Sequence, residues 1–349
     1  MATVISVIIL FCIVAILPLI EKYMGKLKLP IYIIVGLIMI LVAGFREVGA
    51  DPDSNSYDEA YRNYYSRSSE FTKEPTFIWM SAALNQVTSD VHALFLAYAF
   101  LAVVMHFVAF RKLSELWFLP VLVYASFYFE MHEMIQIRTG VLSGLFMLAI
   151  KPMAERRWLT ALLLILIGTT FHVSGLALLP LLFLTNKPMG KMSKWIWGMV
   201  IPIGYIVYFM GMAVTMYIDI PFIGEKLMEY QSGDEKGQGI VNVYAFNYIQ
   251  LFSILAFYYL LYFYDTVAAH NKYFPLMMKI FAIGTAIYAG FSFFPVVGDR
   301  IGYQIKMVNI ILYANIYYTL RPKWAGILAV FLVCCVHMYY ITIYTFFWT

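Results

Sequence analysis

The chain is predicted to be an all-α, polytopic integral membrane protein, and three observations carry that prediction. It is 62% hydrophobic and only 13% charged, with a mean hydropathy of +0.77, whereas soluble domains average about 45–50% apolar and about 25% charged. Apolar runs of about 17 to 25 residues recur along its length, the span a helix needs to cross roughly 30 Å of hydrocarbon. Lysine and arginine concentrate in the short loops between those runs, as in loops kept on the cytoplasmic side of a bilayer. A water-soluble core cannot absorb so much apolar surface, so lipid is the solvent for most of the chain.

The segments, about 11 in number, run roughly over 3–20, 29–45, 92–110, 116–130, 134–150, 158–184, 194–217, 243–264, 274–295, 300–319 and 324–348. The first follows no basic residue and lacks a small-residue cleavage site, so it reads as a retained helix and not as a signal peptide. Cys12, Cys334 and Cys335 all fall inside apolar runs, where they are expected to pack as small hydrophobes.

Five basic groups are expected on the cytoplasmic side: Lys22, Lys26 and Lys28; Arg111 and Lys112; Lys151, Arg156 and Arg157; Lys187, Lys191 and Lys194; Arg321 and Lys323. Parity then fails at 158–184, because basic loops flank both ends and a single crossing would expose one of them outside. A re-entrant hairpin repairs it, with two half-helices meeting near Thr169, Thr170 and His172. Non-helical backbone is tolerated at depth only where protein or a watery cavity satisfies it. Both chain ends then lie outside. Of the 20 acidic residues, all but Glu21, Glu115, Glu155 and Asp265 fall on the outer side or near outer helix ends. Anchoring does not demand such a surface, and function is expected there.

No soluble domain, internal repeat or low-complexity tail interrupts the pattern, so 1–349 reads as a single transmembrane domain with outer loops at about 46–91 and 218–242. In the first loop, Tyr57, Tyr61, Tyr64 and Tyr65 stand at helical spacing. They form either an interfacial aromatic belt or a face on which sugars stack. Pro75 suits a first helical position after Glu74, and Phe77, Ile78, Met80, Ala82 and Leu84 suit a helix lying in the interface. The second loop, Gln231-Ser-Gly-Asp-Glu-Lys-Gly-Gln-Gly239, is expected to be mobile and able to order over a bound substrate.

Several chemistries lack their motifs. No Gly-x-x-x-x-Gly-Lys-Ser/Thr loop points to ATP. His132-Glu-Met-Ile-Gln136 has Gln where a zinc helix needs its second His. Asp51-Pro-Asp53-Ser-Asn55 opens like a calcium loop but has Ser56 and Arg62 where Gly and Glu are required. Its Asp-x-Asp spacing reads either as a solvated turn or as a metal-nucleotide ligand pair. Arg46 and Arg138 sit near outer helix ends, where snorkelling to headgroups is the bland role. With Arg300 they would put three guanidiniums near one plane, and arginine grips phosphate oxygens bidentately. His172, at the proposed break, is either structural or part of a reaction path, whereas His106 and His337 are expected to be packed.

Gly44-Phe45-Arg46 followed by Val48-Gly49-Ala50-Asp51, Asp53 and Tyr57, then Ile137-Arg138-Thr139-Gly140, Phe171-His172-Val173-Ser174 and Gly298-Asp299-Arg300-Ile301-Gly302-Tyr303, together resemble the EpsG family of Wzy-type polysaccharide polymerases. Thr139 departs from the Gln that family often carries. The resemblance implies a GT-C-like glycosyltransferase that joins undecaprenyl-pyrophosphate-linked oligosaccharide repeats into O-antigen, capsular or exopolysaccharide. The work would be done at the periplasmic face of a bacterial inner membrane. Implied partners are the lipid-linked donor and acceptor, membrane lipid and a chain-length regulator protein, with no nucleic acid, cofactor or metal. Arg46, Arg138 and Arg300 would hold the pyrophosphate. Asp53, Glu74 or His172 would accept the sugar hydroxyl proton, and Asp51, Tyr57, Asp299 and Tyr303 would contact sugar or support loops. The rival readings are an O-antigen ligase, a lipid-linked oligosaccharide flippase and a membrane acyltransferase. A flippase should string its charges along a path through the bilayer, and no acyl-donor site is evident.

Overall fold

The computed structural model describes residues 2–66, 74–217, 245–292 and 295–346, and among these there are helices and no strands. The chain divides into two compact units, Met1–Phe183 with Ile310–Thr349, and Leu184–Asn309. Among the described residues six helices are long and apolar enough to cross a bilayer, and shorter apolar helices at 118–128, 158–171, 173–183, 248–262 and 274–290 account for most of the remaining predicted segments.

The first unit begins with α1 (Ala2–Ile20) and α2 (Lys28–Gly44), followed by short α3 (Ser54–Arg62) and α4 (Pro75–Asn85). Next come α5 (His92–Leu113), α6 (Phe118–Val123), α7 (Ile137–Ala154) and α8 (Trp158–Phe171), and α15 (Lys323–Phe346) closes the unit. Helices α1 and α2 bury one apolar face and expose another of equal hydrophobicity. Val7, Leu10 and Val14 are buried while Ile9, Ile13 and Ile16 are exposed, a pattern stable only where lipid replaces water. By contrast α7 is buried on nearly every side and packs against α5 and α8. Gly144 permits the α5 approach, since a Cβ there would sit 2.8 Å from Met105 Cβ.

The re-entrant hairpin is present. Helix α8 is 14 residues long, about 21 Å at 1.5 Å per residue. His172 then turns extended (φ −153°, ψ 126°), and a 3₁₀ helix runs over Val173–Phe183. The rings of Trp158 and Phe183 lie 6.1 Å apart, so the chain has doubled back and its two ends meet. Gly175 makes the reversal tight, because a Cβ there would come within 2.8 Å of Thr169 Cγ2.

The unit has two chemically distinct ends. At one, the Trp117 indole is flanked by Lys28 Nζ at 4.3 Å and Arg111 at 4.4 Å. Glu21 there pairs with Lys28 at 2.7 Å and accepts the backbone N–H of Trp117 at 3.0 Å. Two of the predicted basic groups therefore gather in one place. At the other end α2 finishes and α5 and α7 begin.

Two expectations are corrected. Instead of an outer loop near 131–133, the chain continues from α6 through π-helical turns at Tyr124–Tyr128 and Glu130–Ile135 and reverses at Gln136. Glu130, His132 and Glu133 are thus at most 1% exposed and do not belong to an outer acidic surface. Each buried carboxylate takes one hydroxyl donor, Tyr124 Oη to Glu133 Oε1 at 2.5 Å and Thr342 Oγ1 to Glu130 Oε1 at 3.5 Å, while the Oε2 of each has no hydrogen-bond partner among the described residues. The predicted segment 300–319 is not one helix either. It divides among α13 (Pro295–Lys306), α14 (Asn309–Ala314) and a 3₁₀ turn at Asn315–Tyr318.

The second unit comprises α9 (Lys191–Tyr217), α10 (Tyr248–Tyr262), α11 (Tyr264–Ala268), α12 (Phe274–Gly290) and α13. Helix α12 is its buried centre. Gly204 of α9 lies so close that a Cβ would fall 2.5 Å from the Ala286 carbonyl oxygen.

Candidate functional site

The end of the first unit at which α5 and α7 start carries a cluster of paired charges. Its foundation is the turn after α2. Gly49 takes a positive φ of 87°, which lets the chain wrap around Asp51. One carboxylate oxygen of Asp51 accepts the backbone N–H of Asp53 at 3.1 Å and of Ser54 at 2.9 Å, which starts α3. The other accepts Arg46 Nε at 2.9 Å. Arg46 also donates Nη1 to Ala43 O at 2.8 Å, and its guanidinium lies 3.7 Å over the Phe95 ring. Both partners of the Arg46–Asp51 pair have fully buried side chains. Snorkelling is therefore the wrong picture for Arg46, because α3 and its turn fold over it. Burial lowers the pKa of the guanidinium, opposed chiefly by Asp51. Its Nη2 has no partner among the described residues.

Helix α3 corrects the aromatic-face expectation. Tyr57 is 1% and Tyr61 0% exposed. Tyr57 packs against Phe77 and Phe95 at 6.3 and 6.4 Å, and Tyr61 Oη donates to Thr88 O at 2.7 Å. The face that looked like a belt or a sugar platform instead joins α3 to α4 and α5, and Tyr65 alone of the four is exposed. Burial pushes the Tyr57 phenol up to about 12, against the pull of Arg138, so at neutral pH it is a protonated neighbour of that arginine. Asp53 is half-buried at the start of α3 and close enough to act on both Arg46 and Tyr57.

Helix α4 forms as expected, with Pro75 in its first turn and Glu74 extended before it. Glu74 pairs with Arg138 Nη1. Thr76 Oγ1 donates to Thr170 O at 2.7 Å, so the first turn of α4 is held between α7 and the hairpin tip. Next along that tip, Phe171 meets Tyr98 edge to face at 6.1 Å. His172 is 8% exposed, and its Nδ1 contacts Ser174 Oγ at 2.7 Å. The Ser174 N–H also donates to Nδ1 at 3.2 Å, which leaves the proton of a neutral ring on Nε2.

Arg46, Asp51, Asp53, Tyr57, Glu74 and Arg138 thus share one neighbourhood, to which the His172 tip is tied through Thr76 and Tyr98. Arg300, Asp299 and Tyr303 belong to α13 of the second unit. Arg300 is exposed, and the Asp299 side chain lies outside the described residues. Tyr303 packs on Tyr288 at 5.2 Å and stands 4.6 Å from Lys306 Nζ. The expected cover at 218–242, and 67–73 of the first loop, also lie outside the described residues.

Sequence reasoning missed two features. A sealed network joins Tyr124, Glu133, His106 and Ser143, with His106 Nδ1 3.4 Å from Glu133 and Nε2 3.1 Å from Ser143 Oγ. His106 is packed, as expected, but packed against acid and hydroxyl groups. In the second unit, Lys306 lies 3.9 Å over Tyr288 and 3.3 Å from Gln250 Oε1. An ionisable residue inside an apolar run was the available signal in both cases.

Long lipid-facing helices, a doubled-back hairpin and a charge cluster at one end define a multi-pass α-helical membrane protein. More narrowly, the EpsG family model matches residues 29–349, and the chain belongs to that family. It is 22% identical over 343 residues to the amylovoran biosynthesis protein AmsC of Erwinia amylovora, covering 91% of this chain and 87% of that protein. No solved structure matches it.

Proposed function

We propose that the protein is a polysaccharide polymerase, transferring oligosaccharide repeats carried on undecaprenyl pyrophosphate at the outer face of a bacterial inner membrane. The carrying observation is the pairing of Arg46 with Asp51 and of Arg138 with Glu74 at one end of a membrane-spanning unit. Family membership and the biosynthetic name of AmsC support the same reading. In the reaction, a sugar hydroxyl of one lipid-linked repeat attacks the anomeric carbon of another. A carbon–oxygen bond forms, the bond to the pyrophosphate breaks, and its electron pair leaves on phosphate. The hydroxyl proton passes to a carboxylate or imidazole at the site.

Each site residue has work in that scheme. Arg138 holds phosphate oxygens, while Arg46, fully buried with Asp51, stays out of their reach and fixes the turn from which α3 starts. Asp51 keeps Arg46 charged and fixed. Among the candidate bases, Glu74 adjoins Arg138 directly, and Asp53 and His172 flank it. The gathering of Lys28 and Arg111 at the opposite end supports placing the site outside, by the bias of basic loops to the cytoplasm.

The test is reconstitution in proteoliposomes with lipid-linked repeats as the sole substrate, without ATP or nucleotide sugar. Products should form a ladder spaced by whole repeats. A strict need for a nucleotide sugar, or transfer of single blocks to a different acceptor, would remove the polymerase reading. A cysteine at Ser56 should react with an impermeant thiol reagent in intact spheroplasts, and protection there would reverse the assigned face.

A further inference from the structure

We infer that Glu74 occupies Arg138 in place of the substrate's phosphate, and that arrival of a phosphate displaces it and thereby makes it the base. This rests on the pyrophosphate reading of the site. Three observations point to an exchangeable contact. First, the pair is not sealed: the two side chains retain 10% and 12% exposure, whereas Arg46 and Asp51 retain none. Second, Glu74 is extended and precedes α4, while the helix behind it is anchored separately by Thr76 on Thr170 and by fully buried Phe77. The carboxylate can therefore swing without unfolding α4. Third, Arg138 is held from the side by Tyr57, so the guanidinium stays in place when its carboxylate partner leaves.

The chemistry follows from one guanidinium facing two kinds of oxygen anion. A carboxylate ion-paired to arginine is a poor base, because the pair favours its charged form. When phosphate oxygens take the Arg138 donors, Glu74 loses that stabilisation beside a dianion that repels it, and its proton affinity rises. The acceptor hydroxyl can then give its proton to Glu74 as its oxygen bonds to the anomeric carbon and the pyrophosphate departs. With no phosphate bound, Glu74 stays paired and activates no water.

The exchange predicts that one substitution moves binding and turnover in opposite directions. Farnesyl pyrophosphate, with farnesol as control, is titrated into the purified full-length protein in detergent. Glu74→Gln should bind the pyrophosphate probe about tenfold tighter than wild type, with farnesol unchanged, while polymerisation at saturating substrate falls at least tenfold. Glu74→Asp, whose shorter carboxylate cannot reach Arg138 as well, should also tighten the probe and keep part of the turnover. It serves if Glu74→Gln fails to fold by thermal melting. Weaker or unchanged probe binding in both variants, with binding lost in Arg138→Gln, would overturn the exchange and leave the phosphate site standing. Unchanged probe binding in a folded Arg138→Gln would overturn the phosphate site itself.

Discussion

Two groups of acid–base side chains adjoin the first turns of α7, one at Arg138 and one packed against Gly140, and they are built differently. Around Arg138, carboxylates face guanidiniums: Glu74 with Arg138, and Asp51 with Arg46. Beside Gly140, Glu133 faces a phenol and an imidazole, Tyr124 at 2.5 Å and His106 at 3.4 Å. The first group retains an exposed edge and the second is sealed, with His106 and Glu133 at 0% and 1% exposure. A buried ion pair stabilises weakly but is costly to break, and its arginine can trade one oxygen anion for another. A sealed network of neutral-capable groups has nothing to trade, and it specifies how α5, α6 and α7 meet. Acidic residues in a membrane chain therefore divide by partner more than by depth.

The largest expected effect comes from breaking the sealed ion pair in the first group. Asp51→Asn keeps the shape of the turn but leaves Arg46 buried without a counter-charge, at a cost of about 3–5 kcal/mol, read as thermal unfolding in detergent. A loss below about 1 kcal/mol would mean that water reaches Arg46 and that the contrast between its pair and that of Glu74 is false.

Arg138→Lys sharpens the functional side of the comparison. Lysine keeps the charge but cannot present two parallel hydrogen bonds. Losing one to a charged group costs roughly 1.5–3 kcal/mol, so polymer formation should fall about ten- to a hundredfold at equal protein level. Near-normal rate and polymer length would return Arg138 to a headgroup anchor.

Gly140→Ala probes the junction of the two groups. Its Cβ would fall 2.5 Å from the His132 carbonyl oxygen and 2.6 Å from Glu133 Oε2. Overpacking of this kind costs about 1–3 kcal/mol, and the melting temperature should drop with turnover per folded molecule preserved. The smallest effect belongs to Glu133→Gln, which keeps an acceptor for Tyr124. Stability should change by about 1 kcal/mol, with polymerisation unaltered. A collapse of turnover in a folded Glu133→Gln would move the sealed network into the reaction and dissolve the contrast.

Much of this architecture is legible in one dimension. The boundaries at 2–20, 28–44, 92–113 and 137–154 follow apolar run lengths, and the doubled-back hairpin follows from basic loops at both ends of a run. In lipid every backbone group must be satisfied within the segment, so length and hydropathy decide the elements with little help from packing. Pro75 likewise marks the start of α4 by local chemistry alone. Arg46, Asp51, Glu74, Arg138 and His172 were also visible as candidates, because ionisable groups stand out against such a background.

The roles of those residues were decided by tertiary packing. Arg46 and Tyr57 have the spacing of surface residues, yet both are buried because α3 folds back onto α5. Glu130 and Glu133 have the flanks of a loop, yet π-helical turns carry them into the core. The decisive contacts join residues far apart in the chain, Glu74 to Arg138 across 64 positions and Thr76 to Thr170 across 94. Periodicity reports on the face a residue shares with its own helix. The partner of a charge depends on which helices pack together, and that is set by close approach at glycines such as Gly144 and Gly175 and by the reversal at His172.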